Sequence, residues 1–156
     1  MAELLEVVLE NIPRSKICQL LMLLLRQAGP ITEIQCSAAI KLSSETNISE
    51  DEVKRFLDLP DDASITIKLS SLNIVGCIIS SVLLRLVKYG DQYDIDFNFD
   101  ESDVTCMDTT ALMKQLHKYI SELGKKYKVG DWFGGIEPAS DEDTRYFSGN
   151  RFGPLH

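Results

Sequence analysis

The residues best suited to chemistry form one alternating run, Tyr93-Asp94-Ile95-Asp96-Phe97-Asn98-Phe99-Asp100. Folded as a strand, it puts Tyr93, Ile95, Phe97 and Phe99 on one face and Asp94, Asp96, Asn98 and Asp100 on the other. The apolar row must face a core. The carboxylates then stand in a line about 7 Å apart, because two strand residues rise roughly 6.6–6.8 Å. Three uses compete for such a row. A hard cation would take Asp94 and Asp96, but the calcium-loop spacing with its glycine and distal glutamate is missing. Paired-carboxylate catalysis needs a second acid on a facing surface. The third use is a charged face, either simply solvated or docked on a partner. From Tyr89 to Met113 there is no lysine or arginine, while Asp91, Asp94, Asp96, Asp100, Glu101, Asp103 and Asp108 are acidic. Unneutralised like charges repel one another. A cationic protein surface would relieve that repulsion and be steered towards it. Asp94, Asp96, Asp100, Glu101 and Asp103 therefore lead the candidate partner-binding residues.

Other chemistry is thin. The two histidines are His117, beside Lys118 on an expected helix, and the last residue, His156. Neither has neighbours spaced as metal ligands. No serine or cysteine sits in a nucleophile-elbow pattern. Gly134-Gly135 lacks the lysine and hydroxyl of a phosphate loop. Cys18, Cys36, Cys77 and Cys106 lie far apart and within or beside apolar segments, which reads as four reduced core cysteines. These observations favour a binder over an enzyme, with no metal and no cofactor.

The elements that must position these residues follow from periodicity. Glu3–Asn11 alternates as a strand. Pro13 suits the first turn of a helix reaching about Ala28, with Ile17, Leu20, Leu21, Leu24 and Leu25 on one face. Gly29 is read as its left-handed cap. Ile31–Leu42 reads as a second strand, irregular around Ala38-Ala39. Ser49-x-x-Glu52 is a capping box opening a short helix with Val53, Phe56 and Leu57. Ser64–Leu69 alternates as a third strand. Asn73–Tyr89 reads as a long buried helix closed by Gly90. Gln92–Asp100 is the fourth strand, and Thr109–Leu123 is a last helix ending at Gly124. Strand–helix–strand–helix thus occurs twice, over about 1–58 and 64–123. This predicts an α+β domain (α/β being the variant with parallel crossovers): a layered sandwich of a mixed four- to five-stranded sheet and about four helices.

The totals agree with one domain over 1–156. The chain has 44% hydrophobic and 26% charged residues, and 16 basic against 24 acidic side chains give −8. Phosphate backbones and anionic membranes repel such a chain, so neither nucleic acid nor membrane is an expected partner. The start Met1-Ala2-Glu3-Leu4-Leu5-Glu6 has no basic leader and no cleavage site, and apolar stretches are short or interrupted. With reduced cysteines this implies the cytoplasm.

Beyond the 1–123 body, composition shifts. Residues 124–156 hold six of the nine glycines and six of the twelve aromatic residues, too aromatic for a disordered tail. We expect a short strand and a loop-rich extension packed on the body. Its core is Gly130-Asp131-Trp132-Phe133-Gly134-Gly135-Ile136-Glu137-Pro138-Ala139-Ser140-Asp141, continued by Thr144-Arg145-Tyr146-Phe147. Gly134-Gly135 permits close backbone approach or a positive-φ turn. Arg145 is placed to pair with Glu137 or an Asp141–Asp143 carboxylate. A packed extension explains most of this, but aromatic and arginine residues also suit interface anchors. That makes Trp132, Phe133, Glu137, Arg145 and Tyr146 secondary candidates.

This stretch, with the size and acidity of the chain, resembles the small immunity proteins encoded beside bacterial polymorphic or contact-dependent growth-inhibition toxins. The resemblance implies a cytoplasmic antidote that binds a cognate toxin protein, and an acidic antidote suits a basic nuclease toxin. It carries no fold, since immunity proteins have many. Two other readings stand beside it: a small carboxylate-based enzyme or metal-binding domain, and a secretion or assembly chaperone.

Overall fold

The computed structural model describes residues 3–38 and 40–156. Its strands are β1 (Leu4–Glu10), β2 (Ile31–Cys36), β3 (Ala63–Ile74), β4 (Cys77–Tyr89), β5 (Gln92–Asp100), β6 (Asp131–Ile136), β7 (Arg145–Ser148) and β8 (Arg151–Phe152). The helices are α1 (Arg14–Arg26), α2 (Glu50–Leu57) and α3 (Thr109–Lys126). The strands form one sheet in the order β2-β3-β4-β5-β1-β6-β7-β8, and every ladder is antiparallel. β1 is central, between β5 and β6. α1 carries the chain to the β2 edge, a meander returns to β5, and α3 crosses over to β6.

All three helices lie on one face of the sheet. Ile17, Leu20, Leu21 and Leu24 of α1 are fully buried, at the i, i+3, i+4, i+7 spacing of an apolar stripe. With Val53, Phe56 and Leu57 of α2 and Leu112, Met113, Leu116 and Ile120 of α3, they form one core. The sheet supplies the other half through alternate residues such as Leu5, Val7 and Leu9. The capping box is present: Ser49 Oγ accepts from Glu52 N and Glu52 accepts from Ser49 N. Asp108 caps α3 by accepting from Ala111 N at 2.7 Å.

Several expectations fail here. The expected sandwich of a mixed four- to five-stranded sheet, about four helices and β-α-β-α repeated twice is instead an eight-stranded antiparallel sheet with three helices. The difference lies in Asn73–Tyr89, which forms the end of β3, a turn and β4 rather than a helix, and in the extension, which supplies β6, β7 and β8 where one short strand was expected. β3 and β4 form a long hairpin turned by Val75-Gly76, both at positive φ (50° and 74°), a backbone twist that fits paired strands. Its alternation slips by one residue at Ser70-Ser71 and at Ser80-Ser81, where Ser81 has φ 56°. That slip hides the two-residue period and leaves an apolar run that mimics a buried helix. Gly90, expected to close that helix, turns β4 into β5 instead, and α1 ends at Gln27 rather than on a left-handed Gly29.

The four-reduced-cysteine expectation also fails. Cys77, at the start of β4, is joined to Cys106, before α3, with the Cα atoms 5.9 Å apart; Cys18 and Cys36 are free. Local spacing cannot show a pair 29 residues apart. β2 stops at Cys36, short of the expected Leu42. Ala39, in its irregular part, lies outside the described residues, as do Met1 and Ala2.

Candidate functional site

With the helices on one side, the opposite face of the sheet is open. Register determines which side chains share it. β1 pairs with β5 so that Leu4, Glu6 and Val8 face Asp100, Asn98 and Asp96. On its other edge Glu6, Val8 and Glu10 face Gly135, Phe133 and Asp131 of β6. β4 brings Arg85 opposite Asp96, with Leu83 and Val87 opposite Asn98 and Asp94. Two acidic strands that are 90 residues apart in sequence thus lie side by side.

Charge on this face is crowded. Asp96 is 6% exposed and takes Arg85 Nη2 at 2.8 Å and Nε at 3.2 Å. Burial still holds its carboxyl above the usual range, against the pull of that guanidinium, and Asp94 adds to the rise. Asp94 is 8% exposed and accepts from Asn11 N at 2.8 Å and Tyr89 Oη at 2.9 Å. Burial and this carboxylate push the Tyr89 hydroxyl up to about 12. Glu6 is raised by burial, then by Asp96 and Glu137, with Arg85 and the Ala139 amide opposing. Glu10 is raised by burial, Asp94 and Asp131, with Arg145 opposing. Desolvation and like charge both disfavour an ionised carboxylate, which is why the shifts run one way.

One patch of this face is covered. The loop after β6 folds over it, so that Val8, Phe133 and Ala139 form a small separate apolar cluster. Arg145 lies over the Phe133 ring at 4.0 Å and donates to Ala139 O at 2.7 Å. It also donates to Ser148 Oγ at 3.1 Å. Arg145 pins the loop as expected, but through carbonyls and the ring rather than through Glu137 or Asp141–Asp143. Gly134 and Gly135 serve close approach, not a positive-φ turn. A Cβ on Gly134 would meet the Phe147 ring at 2.6 Å, and one on Gly135 would strike the Thr144 carbonyl.

The family model for the PABL017 Cdi1I immunity protein matches residues 3–152. The chain belongs to this immunity protein family. The same fold occurs in the crystal structure of the toxic C-terminal tip of CdiA from Pseudomonas aeruginosa in complex with immune protein. That match is 28% identical, covers 100% of both chains and has a TM-score of 0.88. No curated protein matches significantly.

Within this immunity-protein fold the ten residues singled out by sequence separate. Asp94 and Asp96 lie on the open face but are buried and hydrogen-bonded. Asp100 is a cap, accepting from Ser102 N at 2.8 Å and Ser102 Oγ at 2.7 Å, which draws its carboxyl down. Glu101 and Asp103 form the half-exposed 3-10 turn that follows. Phe133, Glu137 and Arg145 belong to the open face. Trp132 points the other way and packs against Gly124 of α3, its indole donating to Ser121 Oγ and Gly149 O at 3.0 Å each. Tyr146 is half-buried beside Phe152 at that end of the sheet. His117 is a partly exposed helix residue, stacked on Phe147 at 5.0 Å with Nε2 2.7 Å from Gly149 O.

Sequence reasoning missed Glu6, Glu10, Arg85 and Asp131. The alternation of β1 already exposes the two glutamates, but nothing local says that β1 lies beside β5. Among the described residues no group of three or more His, Cys, Asp or Glu side chains is arranged to hold a metal, and no helix is long and apolar enough to cross a membrane.

Proposed function

We propose that this chain is the antidote of a contact-dependent growth-inhibition system, binding the toxic C-terminal tip of its cognate CdiA-type protein in the cytoplasm and blocking it without catalysing a reaction. The observation that carries this reading is the immunity-family match over residues 3–152. A fold shared along its full length with a structure containing a CdiA toxic tip and its immune protein supports it. The acidic balance of −8 favours a basic toxin such as a nuclease, because an acidic antidote competes for the surface that nucleic acid would occupy. Of the residues singled out by sequence, the open face offers Glu137 to the toxin, with Arg145 half-buried beside it and Phe133 buried beneath the Arg145 guanidinium. The half-exposed Asp100, Glu101 and Asp103 lie at the end of β5, Tyr146 packs against the main core, and the buried Asp94 and Asp96 shape the field from within.

Co-expression with a cognate CdiA-type toxin tip tests the proposal. The chain should restore growth and co-elute with the tip in a stoichiometric complex. Growth arrest despite soluble chain, or separate elution, refutes it. Fractionation with thiol labelling of Cys77 and Cys106 tests the location, because disulfides are rare in the reducing cytoplasm.

A further inference from the structure

Charge in this molecule is segregated by layer. The three helices carry nine lysine and arginine residues and four aspartate and glutamate residues, a net +5. The whole chain is −8, so the strands and loops hold the balance, −13. The acidity is therefore concentrated away from the helices. The open face has little to neutralise it. Most of its cations are already engaged: Lys68 with Glu33 at 2.9 Å, Arg85 with Asp96 at 2.8 Å, and Arg145 with Ala139 O and the Phe133 ring, while Arg151 is exposed at the far β8 edge. Among the described residues the ion pairs are these two and Arg14–Asp58, so none involves Glu6, Glu10, Asp131 or Glu137.

We propose that the cognate toxin tip docks on this open sheet face, laying a basic surface across β4, β5, β1 and β6 while the helix layer points away from it. The inference rests on the proposed antidote function and adds where the partner sits and what chemistry it presents. Lysine or arginine side chains of the toxin would approach Glu6 with Glu137 and Glu10 with Asp131. The half-buried Leu83 and Val87, on either side of Arg85, supply apolar contact area between the charges. A mixed apolar and acidic surface of this kind suits a non-obligate protein interface. Segregation also orients the encounter, since a basic partner is attracted to the sheet and repelled by the helices. A second copy docked sheet face to sheet face is a poor occupant, because like charges would be juxtaposed.

Crowding that disfavours the free protein and favours the complex leaves a signature that mere surface solvation lacks. Glu6 and Glu10 are raised by burial and by neighbouring carboxylates. Glu6→Gln/Glu10→Gln should therefore raise the melting temperature of the free chain at neutral pH and yet weaken toxin binding. The experiment uses the full chain and a purified cognate CdiA-type toxin tip, with affinity and association rate measured at two salt concentrations. Three proteins are compared: the double glutamine variant, Asp131→Lys/Glu137→Lys at two exposed positions, and Lys118→Glu/Lys125→Glu on the helix layer. We expect a loss of about tenfold or more for each sheet-face pair, mainly in association rate for the exposed reversal, and a change under about twofold for the helix pair. Sheet-face variants that are folded and bind within about twofold of wild type overturn the docking face while leaving the antidote reading intact. A loss confined to the helix pair overturns it as well. A wild-type chain that does not bind the tip overturns both.

Discussion

Arg85→Met should destabilise the protein by about 2 kcal/mol at neutral pH, through Asp96 rather than through any contact of its own. The Asp96 side chain is 8% exposed and that of Arg85 is 49% exposed. Removing one partner of a fully buried ion pair costs roughly 3–5 kcal/mol, because the other charge is left uncompensated. Exposed pairs are worth about 0–1 kcal/mol. This pair has one end in each regime, and discounting for the solvated guanidinium gives the intermediate figure. For a chain of this length about 2–4 °C of melting temperature accompanies each kcal/mol, so a fall of about 4–8 °C is expected. With a urea slope near 2 kcal/mol/M, the unfolding midpoint drops by about 1 M.

The pH dependence tells this mechanism from lost packing. Burial already raises the Asp96 carboxyl, with Arg85 opposing, so the variant raises it further. Glu6, which also faces Arg85 and Glu137, moves the same way. An acid whose folded pKa exceeds its unfolded one binds more protons when folded. Its stability is then greatest below the unfolded pKa and is lost as pH rises through the folded one. The deficit of Arg85→Met should be full at pH 7.5, shrink as pH falls, and be smallest below about pH 4, near the ordinary aspartate value. Arg85→Met/Asp96→Asn should recover most of the deficit at pH 7.5. Urea unfolding of wild type and the two variants across this pH range is the assay. A midpoint within about 0.2 M of wild type, or a deficit equal at both ends of the pH range, refutes the reasoning.

Two further outcomes bear on the scaffold. Cys106→Ser, which opens the link to Cys77 across 29 residues, should cost about 3.5 kcal/mol in oxidising buffer on the chain-entropy relation. It should match wild type under reductant, and a wild-type urea midpoint indifferent to reductant argues against the link. Gly135→Ala should destabilise by about 1–3 kcal/mol. Its Cβ would strike the Thr144 carbonyl and lie 2.7 Å from Arg145 Cα, forcing β7 away from β6. Calorimetry showing an unchanged melting temperature would count against the close approach.

The sequence by itself determined the elements whose causes are local. The stripe of α1, the Ser49–Glu52 capping box and the alternation of β1 and β5 each rest on residues within a few positions of one another. Each appears where expected. The extension after Gly124 was legible as packed structure for a similar reason, since that many aromatic residues must be buried. Asn73–Tyr89 was misread because the slip at Ser80-Ser81 breaks its period, and without a period an apolar run does not declare strand or helix. Sheet order, and with it the candidate face, belongs to tertiary structure alone. Asp94 and Asp96 could be read as a bare acidic row only while Arg85 was assigned to a helix. Antiparallel pairing places that arginine against Asp96, draws both aspartates into the sheet, and leaves the acidic role to the half-buried Glu6 and Glu10 and the exposed Asp131 and Glu137. The physical reason is that a strand's own alternation settles which residues share a face, while only its neighbours across the ladder settle which charges meet there.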